Sequence, residues 1–191
     1  FTFTATTTRA IYSAAPITFY NATFNGSGGV WNLSASTTGA TTTVQNALTV
    51  TAGTLSGTSD LIVSTGGIAG AGTVSMNSGI VRFDGTGSFG NSNPWQFYNL
   101  ILGNGTSGTM TKNGTGTTTI NRVLTLSALE TLQAGSSPWV LTAGGTPFVA
   151  SGIFTVQTAP FWFTATSSTI VENETYAGLY LAPADVGTPV F

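Results

Sequence analysis

The side chains able to do chemistry are few and scattered. Six acids (Asp60, Asp84, Glu130, Glu172, Glu174 and Asp185) and four bases (Arg9, Arg82, Lys112 and Arg122) make up the whole charged inventory, and there is neither His nor Cys. The commonest general base and metal ligand is therefore missing, as are thiolate chemistry and a disulfide framework. Carboxylate chemistry remains. Enzymes that cleave polysaccharides need two or three acids on one face, often with a basic partner. Glu172 and Glu174 are two apart and would share a face if their segment were a strand; Arg82 and Asp84 have the same spacing. Solvated turn or strand charges are the stronger reading. Asp84 aligns with Thr4 and Thr164 in the internal repeat described below, so no ladder of acids runs along the chain. We expect no catalytic residue, no cofactor and no metal.

Other motifs are weighed the same way. Gly66–Gly72 has the glycines of a calcium-binding turn but no Asp, and hard cations want several oxygen ligands, usually carboxylates. Asp60 and Asp185 are the weak exceptions. The same stretch lacks the Lys-Ser/Thr ending of a phosphate loop. Thr41/Thr43 and Thr117/Thr119 could order water in the manner of ice-binding proteins, but they recur after 76 residues rather than once per coil and would not form a flat rank. Among the tryptophans, Trp139 replaces Leu61 in the repeat and belongs in the core. Trp162 points opposite to Phe161 and Phe163, so one face there exposes aromatics, as an interface or as a sugar platform. Trp95 is the other platform candidate. Asn21, Asn25, Asn32, Asn104, Asn113 and Asn173 satisfy Asn-x-Ser/Thr and are glycosylation candidates.

Charged residues are 5% of the 191, against about 25% in ordinary soluble domains. Hydrophobic residues are 41% and mean hydropathy is +0.27, which is not the composition of a disordered chain. A net charge of −2 with four scattered bases offers no footprint for nucleic acid. The apolar runs are a few residues long, whereas a spanning helix needs about 20. The chain opens at Phe1 with neither Met nor a signal-peptide pattern, as expected of a processed product or a window of a longer protein.

The elements that carry these residues read as strands. Thr and aromatics favour strands; Gly and Asn favour tight turns. Phe1–Thr6 alternates apolar and polar, and related segments return at Val81–Thr86 and Phe161–Thr166. Phe19-Tyr20-Asn21 returns as Phe97-Tyr98-Asn99 and, eroded, as Thr175-Tyr176-Ala177, so the three tyrosines are spaced by 78 residues. Leu48-Thr49-Val50 matches Leu124-Thr125-Leu126, and Leu61–Gly67 matches Trp139–Gly145. Two full repeats, 1–80 and 81–160, and a partial third, 161–191, thus form one domain. Val123–Gln133 is Leu-rich and could pass for a helix, but its partner Leu48–Ser56 is plainly not helical, so it is expected as strand.

Within a repeat, strand-like bursts near Leu48, Ile62, Val74 and Val81 divide about 80 residues into some four coils of about 20, inside the range of solenoid repeats. The fold class expected is therefore all-β, a β-solenoid (parallel β-helix). The alternative is a tandem pair of Ig-like β-sandwiches, for which a 31-residue third copy is too short. Tyr20, Tyr98 and Tyr176 are expected at equivalent positions. The segments Phe19–Gly26, Phe97–Gly103 and Gly53-Thr54-Leu55 resemble repeat regions of long bacterial surface and secreted proteins built as right-handed β-solenoids. That resemblance implies an extracellular structural role as fibre, stalk or adhesin. The first strand, read as Phe1–Thr8, carries no charge, Pro or bulge to block strand addition. Self-assembly through Phe1, Phe3, Trp162, Val190 and Phe191 into a homopolymer is expected, with surface glycans as possible further partners.

Overall fold

Stacked side chains of like shape need a backbone that returns to the same place once per turn, and the chain does this with strands and corners. The structure, a computed structural model, describes residues 1–35 and 40–181; Asp185, Val190 and Phe191 lie outside them. Eighteen strands follow in chain order: β1 (Thr2–Phe3), β2 (Arg9–Ser13), β3 (Ile17–Ala35), β4 (Thr41–Gly57), β5 (Asp60–Val63), β6 (Ile68–Ala69), β7 (Thr73–Met76), β8 (Ile80–Phe83) and β9 (Gly87–Phe89). Then come β10 (Trp95–Leu102), β11 (Gly108–Lys112), β12 (Thr118–Leu126), β13 (Glu130–Gln133), β14 (Trp139–Leu141), β15 (Phe148–Ala150), β16 (Ile153–Thr155), β17 (Pro160–Phe163) and β18 (Gly178–Leu181). No helix occurs among the described residues. Val123–Gln133 is strand, turn, strand, as its repeat partner required.

Every strand pairing is parallel, which makes the fold a β-solenoid of about eight turns and excludes the antiparallel sandwiches. Three short segments per turn build three faces. On the first face Ile17, Thr42, Leu61, Val81, Leu100, Leu124 and Phe148 lie in one column. The second carries Phe3, Phe24 and Val50, then Leu48 beside Ile68, and at the far end Met110, Leu132 and Phe154. The third carries Trp31, Leu55 and Val74, then Trp95, Thr118, Trp139, Phe161 and Leu179. β3, β4, β10 and β12 are long because they run around a corner through a register shift instead of stopping at it.

Alternation decides what points inward. β5, β7 and β8 bury every second residue, as the period of two requires. Trp31, Trp95 and Trp139 are all core. Trp139 stacks on Phe161 at 5.5 Å between ring centres, and Phe3 on Phe24 at 4.8 Å. At the corners backbone passes so close to backbone that some positions exclude a side chain: a Cβ on Gly67 would overlap the Ser88 carbonyl. Asn91 and Asn93 staple one such corner, their side-chain amides donating to the Gly70, Gly72 and Ala71 carbonyls at 2.7–2.9 Å.

The internal repeat has a different relation to the turns from the one expected. Eleven strand segments lead from Phe3 to Phe83: 9–13, 17–19, 21–24, 30–33, 41–44, 47–50, 54–57, 60–63, 68–69, 73–76 and 80–83. Eleven more lead to Phe163. With three segments per turn, one repeat spans three and two-thirds turns, not four. The physical cause is coil length: stacked partners are about 22 residues apart, more than the expected 20. Successive copies therefore fall on different faces.

Tyr20 sits at the corner between the first and second faces, Tyr98 at that between the third and first, and Tyr176 precedes the last third-face strand. The expectation of equivalent positions fails. Tyr20 is exposed, Tyr98 is half-buried under Arg122, and Tyr176 packs inward on Phe154 and Phe161. Thr41/Thr43 and Thr119 likewise lie on different faces, with Thr117 just ahead of β12.

Two glycines make a direct test of corner packing. Gly67→Ala should destabilise the fold by roughly 1–3 kcal/mol through overpacking. Gly145 has φ +73° with open space around it, so Gly145→Asn, a residue that tolerates this conformation, should cost less than about 1 kcal/mol. Urea unfolding followed by circular dichroism measures both.

Candidate functional site

The charges expected to be solvated are partly buried, and these make the chemically unusual places in the molecule. β8 ends at the corner between the first and second faces. There Asp84, almost fully buried, accepts two hydrogen bonds from Arg82, from Nε at 2.9 Å and Nη2 at 3.1 Å. Two turns on, at the same corner, β13 opens with Glu130, which is completely buried and whose two carboxylate oxygens have no hydrogen-bond partner. Burial, then the neighbouring Asp84 charge, pushes the Glu130 carboxyl up to about 7. The residue before it, Leu129, holds φ at +67° and is exposed.

The second place is the corner between the second and third faces. β11 ends on Lys112, also buried. Its Nζ donates to the Gly116 carbonyl at 2.7 Å and to Ser137 Oγ, and Ser137 in turn donates to the Gly114 carbonyl at 3.0 Å. Burial brings the Lys112 ammonium down to about 8. A Ser beside a Lys of lowered pKa is one form of activated nucleophile, but both side chains are enclosed. What the arrangement does here is tie two successive corner loops together.

Sequence reasoning missed both residues, and the signal was parity. Glu130 alternates in phase with buried Leu132, and Lys112 with buried Met110. Glu172 and Glu174, which would share a face only if they lay in a strand, are not in one. The Glu174 amide donates to the Glu172 carbonyl at 2.8 Å in a tight turn. Asp60 has a structural task, accepting the Ile80 amide at 2.8 Å. No three acidic side chains converge among the described residues.

The aromatic candidates separate cleanly. Trp95 is core and cannot be a sugar platform, since its indole donates inward to the Gly72 carbonyl. Trp162 is 39% exposed and stacks on exposed Tyr180 of the next turn at 4.1 Å, interplanar angle 9°. Of the sequon asparagines, Asn21, Asn25, Asn104, Asn113 and Asn173 are exposed and Asn32 is half-buried.

The ends are the remaining feature. At the start β1, β2 and the Ile17–Phe19 segment each pair on one side, leaving Phe1 exposed and Phe3, Ile11 and Ile17 half-covered. The first strand breaks at Phe3 instead of running to Thr8, so the charge of Arg9 begins β2 and lies on the edge itself. At the other end β18 pairs with β17 alone among the described strands, and Val171, Tyr176 and Leu181 are half-covered. Comparison with known protein families, with characterised proteins and with solved structures finds no match.

Above the range where Glu130 titrates, two further groups with altered proton affinity, buried Lys112 and half-buried Tyr176, give a signed prediction for alkaline pH. Lys112 binds its proton less firmly folded than unfolded, so stability rises with pH from about 8 toward 10.5. Burial, then Glu174 and Glu172, raises the Tyr176 phenol, so the folded state holds that proton longer and stability falls above pH 10. We expect a stability maximum near pH 10. Lys112→Met should lose the rise, on the order of 2 kcal/mol between pH 8 and 10, and Tyr176→Phe the fall, both read from melts across that range.

Proposed function

We propose that this chain is a non-catalytic structural module of an extracellular filament, fibre or adhesin stalk, and that copies of it stack head to tail through their open ends. The observation that carries this reading is the open strand edges at both ends of the described strands. Each end presents unpaired strand edges and half-covered apolar residues that another rung would cover, the geometry of strand addition. Charge supports the same direction of stacking. Arg9 lies in the first turn, and Glu172 and Glu174 lie in the last described one, so opposite signs meet when the end of one copy receives the start of the next.

The side walls support a rod over a receptor. Because each repeat returns one face away from the last, its motifs wind around the solenoid and no single face gathers them. Exposed asparagines of the sequons would face solvent on such a rod and accept glycans if the chain is exported.

A sugar-binding β-helix is the rival, resting on exposed Trp162. One face of its ring is already taken by Tyr180, which leaves less of the indole free to stack on a sugar.

Sedimentation of the purified chain over a range of concentrations, with electron microscopy, tests the proposal. We expect concentration-dependent rods that shorten in high salt. Arg9→Glu should prevent assembly, as should Glu172→Lys with Glu174→Lys, and mixing the two variants should restore it by pairing opposite ends. A monodisperse wild-type monomer at high concentration, without rods, would overturn the reading. Glycan-array binding abolished by Trp162→Ala would favour the rival.

A further inference from the structure

We propose that the buried, unpartnered Glu130 carboxylate, at the corner joining the first and second faces, binds a hard cation, sodium or calcium. Glu130 is fully buried with both oxygens unpartnered, and an uncompensated carboxylate in that setting is costly unless something neutralises it. Its side chain rests against glycines of the preceding turn. The positions that a Cβ would take on Gly103 and Gly108 lie 2.9 and 2.7 Å from Glu130 Oε2, and the Gly85 carbonyl oxygen is 2.6 Å from the same point on Gly108. Any other residue at 103 or 108 would displace the carboxylate. A carboxylate oxygen and a main-chain carbonyl oxygen thus flank the same point on Gly108, and the Asp84 charge acts on the same carboxyl.

The donor set selects the class of ion. All candidate donors are oxygens, which suits hard cations. No third acidic side chain converges here among the described residues, so main-chain carbonyls must complete the shell, as they commonly do for calcium and sodium. Arg82 already offsets Asp84 through its two hydrogen bonds, which leaves one net negative charge to be met. Magnesium fits poorly, because it demands near-octahedral geometry at about 2.1 Å and keeps its waters. The raised proton affinity of Glu130 has the same origin: in the absence of a cation a proton is the remaining way to discharge it.

The test uses the full chain, treated with chelator and dialysed into a tetramethylammonium buffer at pH 8. Calcium chloride at 1 mM, sodium chloride at 100 mM and magnesium chloride are added separately, with tetramethylammonium chloride as the ionic-strength control. We expect calcium or sodium to raise the melting temperature by about 3–6 °C, whichever arm responds identifying the ion. The rise should vanish in Glu130→Gln and persist in Glu172→Gln. Native mass spectrometry of the wild type should find one retained ion, a readout that does not depend on the variant folding. Equal melting in all salts, meaning a carboxyl held by its proton alone, would overturn the proposal; so would a shift that survives Glu130→Gln, or a wild-type mass without a bound ion.

Discussion

Everything in this molecule depends on rung-over-rung hydrogen bonding between parallel strands, which sets neighbouring coils about 4.8 Å apart. At that spacing each side chain has another directly above and below it. Inward positions must therefore match along a column, and the columns here run through Val, Leu, Ile, Phe and Trp. The same spacing forces glycine at corners where one backbone rests on the next. It also means that a solenoid satisfies its strands internally everywhere except at its two ends, where a half-covered rung remains.

Charges are hard to place in such a stack, and three are buried nonetheless, each handled differently. Asp84 is held by a two-point contact with Arg82, whose stem and head reach the surface. Lys112 is held by neutral oxygens of the adjoining corner loops, a set that satisfies hydrogen bonds without neutralising charge. Glu130 has neither. The contrast matters because a paired buried charge is close to neutral for stability, whereas an unpaired one is strongly unfavourable. The first two read as structural, and the third is the one that asks for a ligand.

The mismatch between repeat and turn shapes the outer surface. A repeat of a whole number of turns would place every copy of a motif on one face and build a flat array. Eleven segments on a three-segment turn rotate the motif by one face per copy, so Tyr20, Tyr98 and Tyr176 occupy three different settings. Repetition in the sequence thus does not gather its motifs on a single face.

The sequence by itself determined the inside and outside of each strand, the presence of turns between them, the repeat length and the absence of histidine and thiol chemistry. These are local properties: alternation with a period of two, Gly and Asn at breaks, and residue counts. The burial of Glu130 and Lys112 was also written in that alternation, in phase with Leu132 and Met110, but polar residue type argued against it. Tertiary structure alone decided how many segments close a turn, and hence which face each tyrosine reaches. It also decided that Trp95 is core while Trp162 is not, and that the Glu130 carboxyl feels the Asp84 charge from two turns away. Those outcomes depend on corner geometry and on coil lengths that vary from turn to turn. A one-segment difference per repeat, invisible in any local window, moves a residue to another side of the molecule.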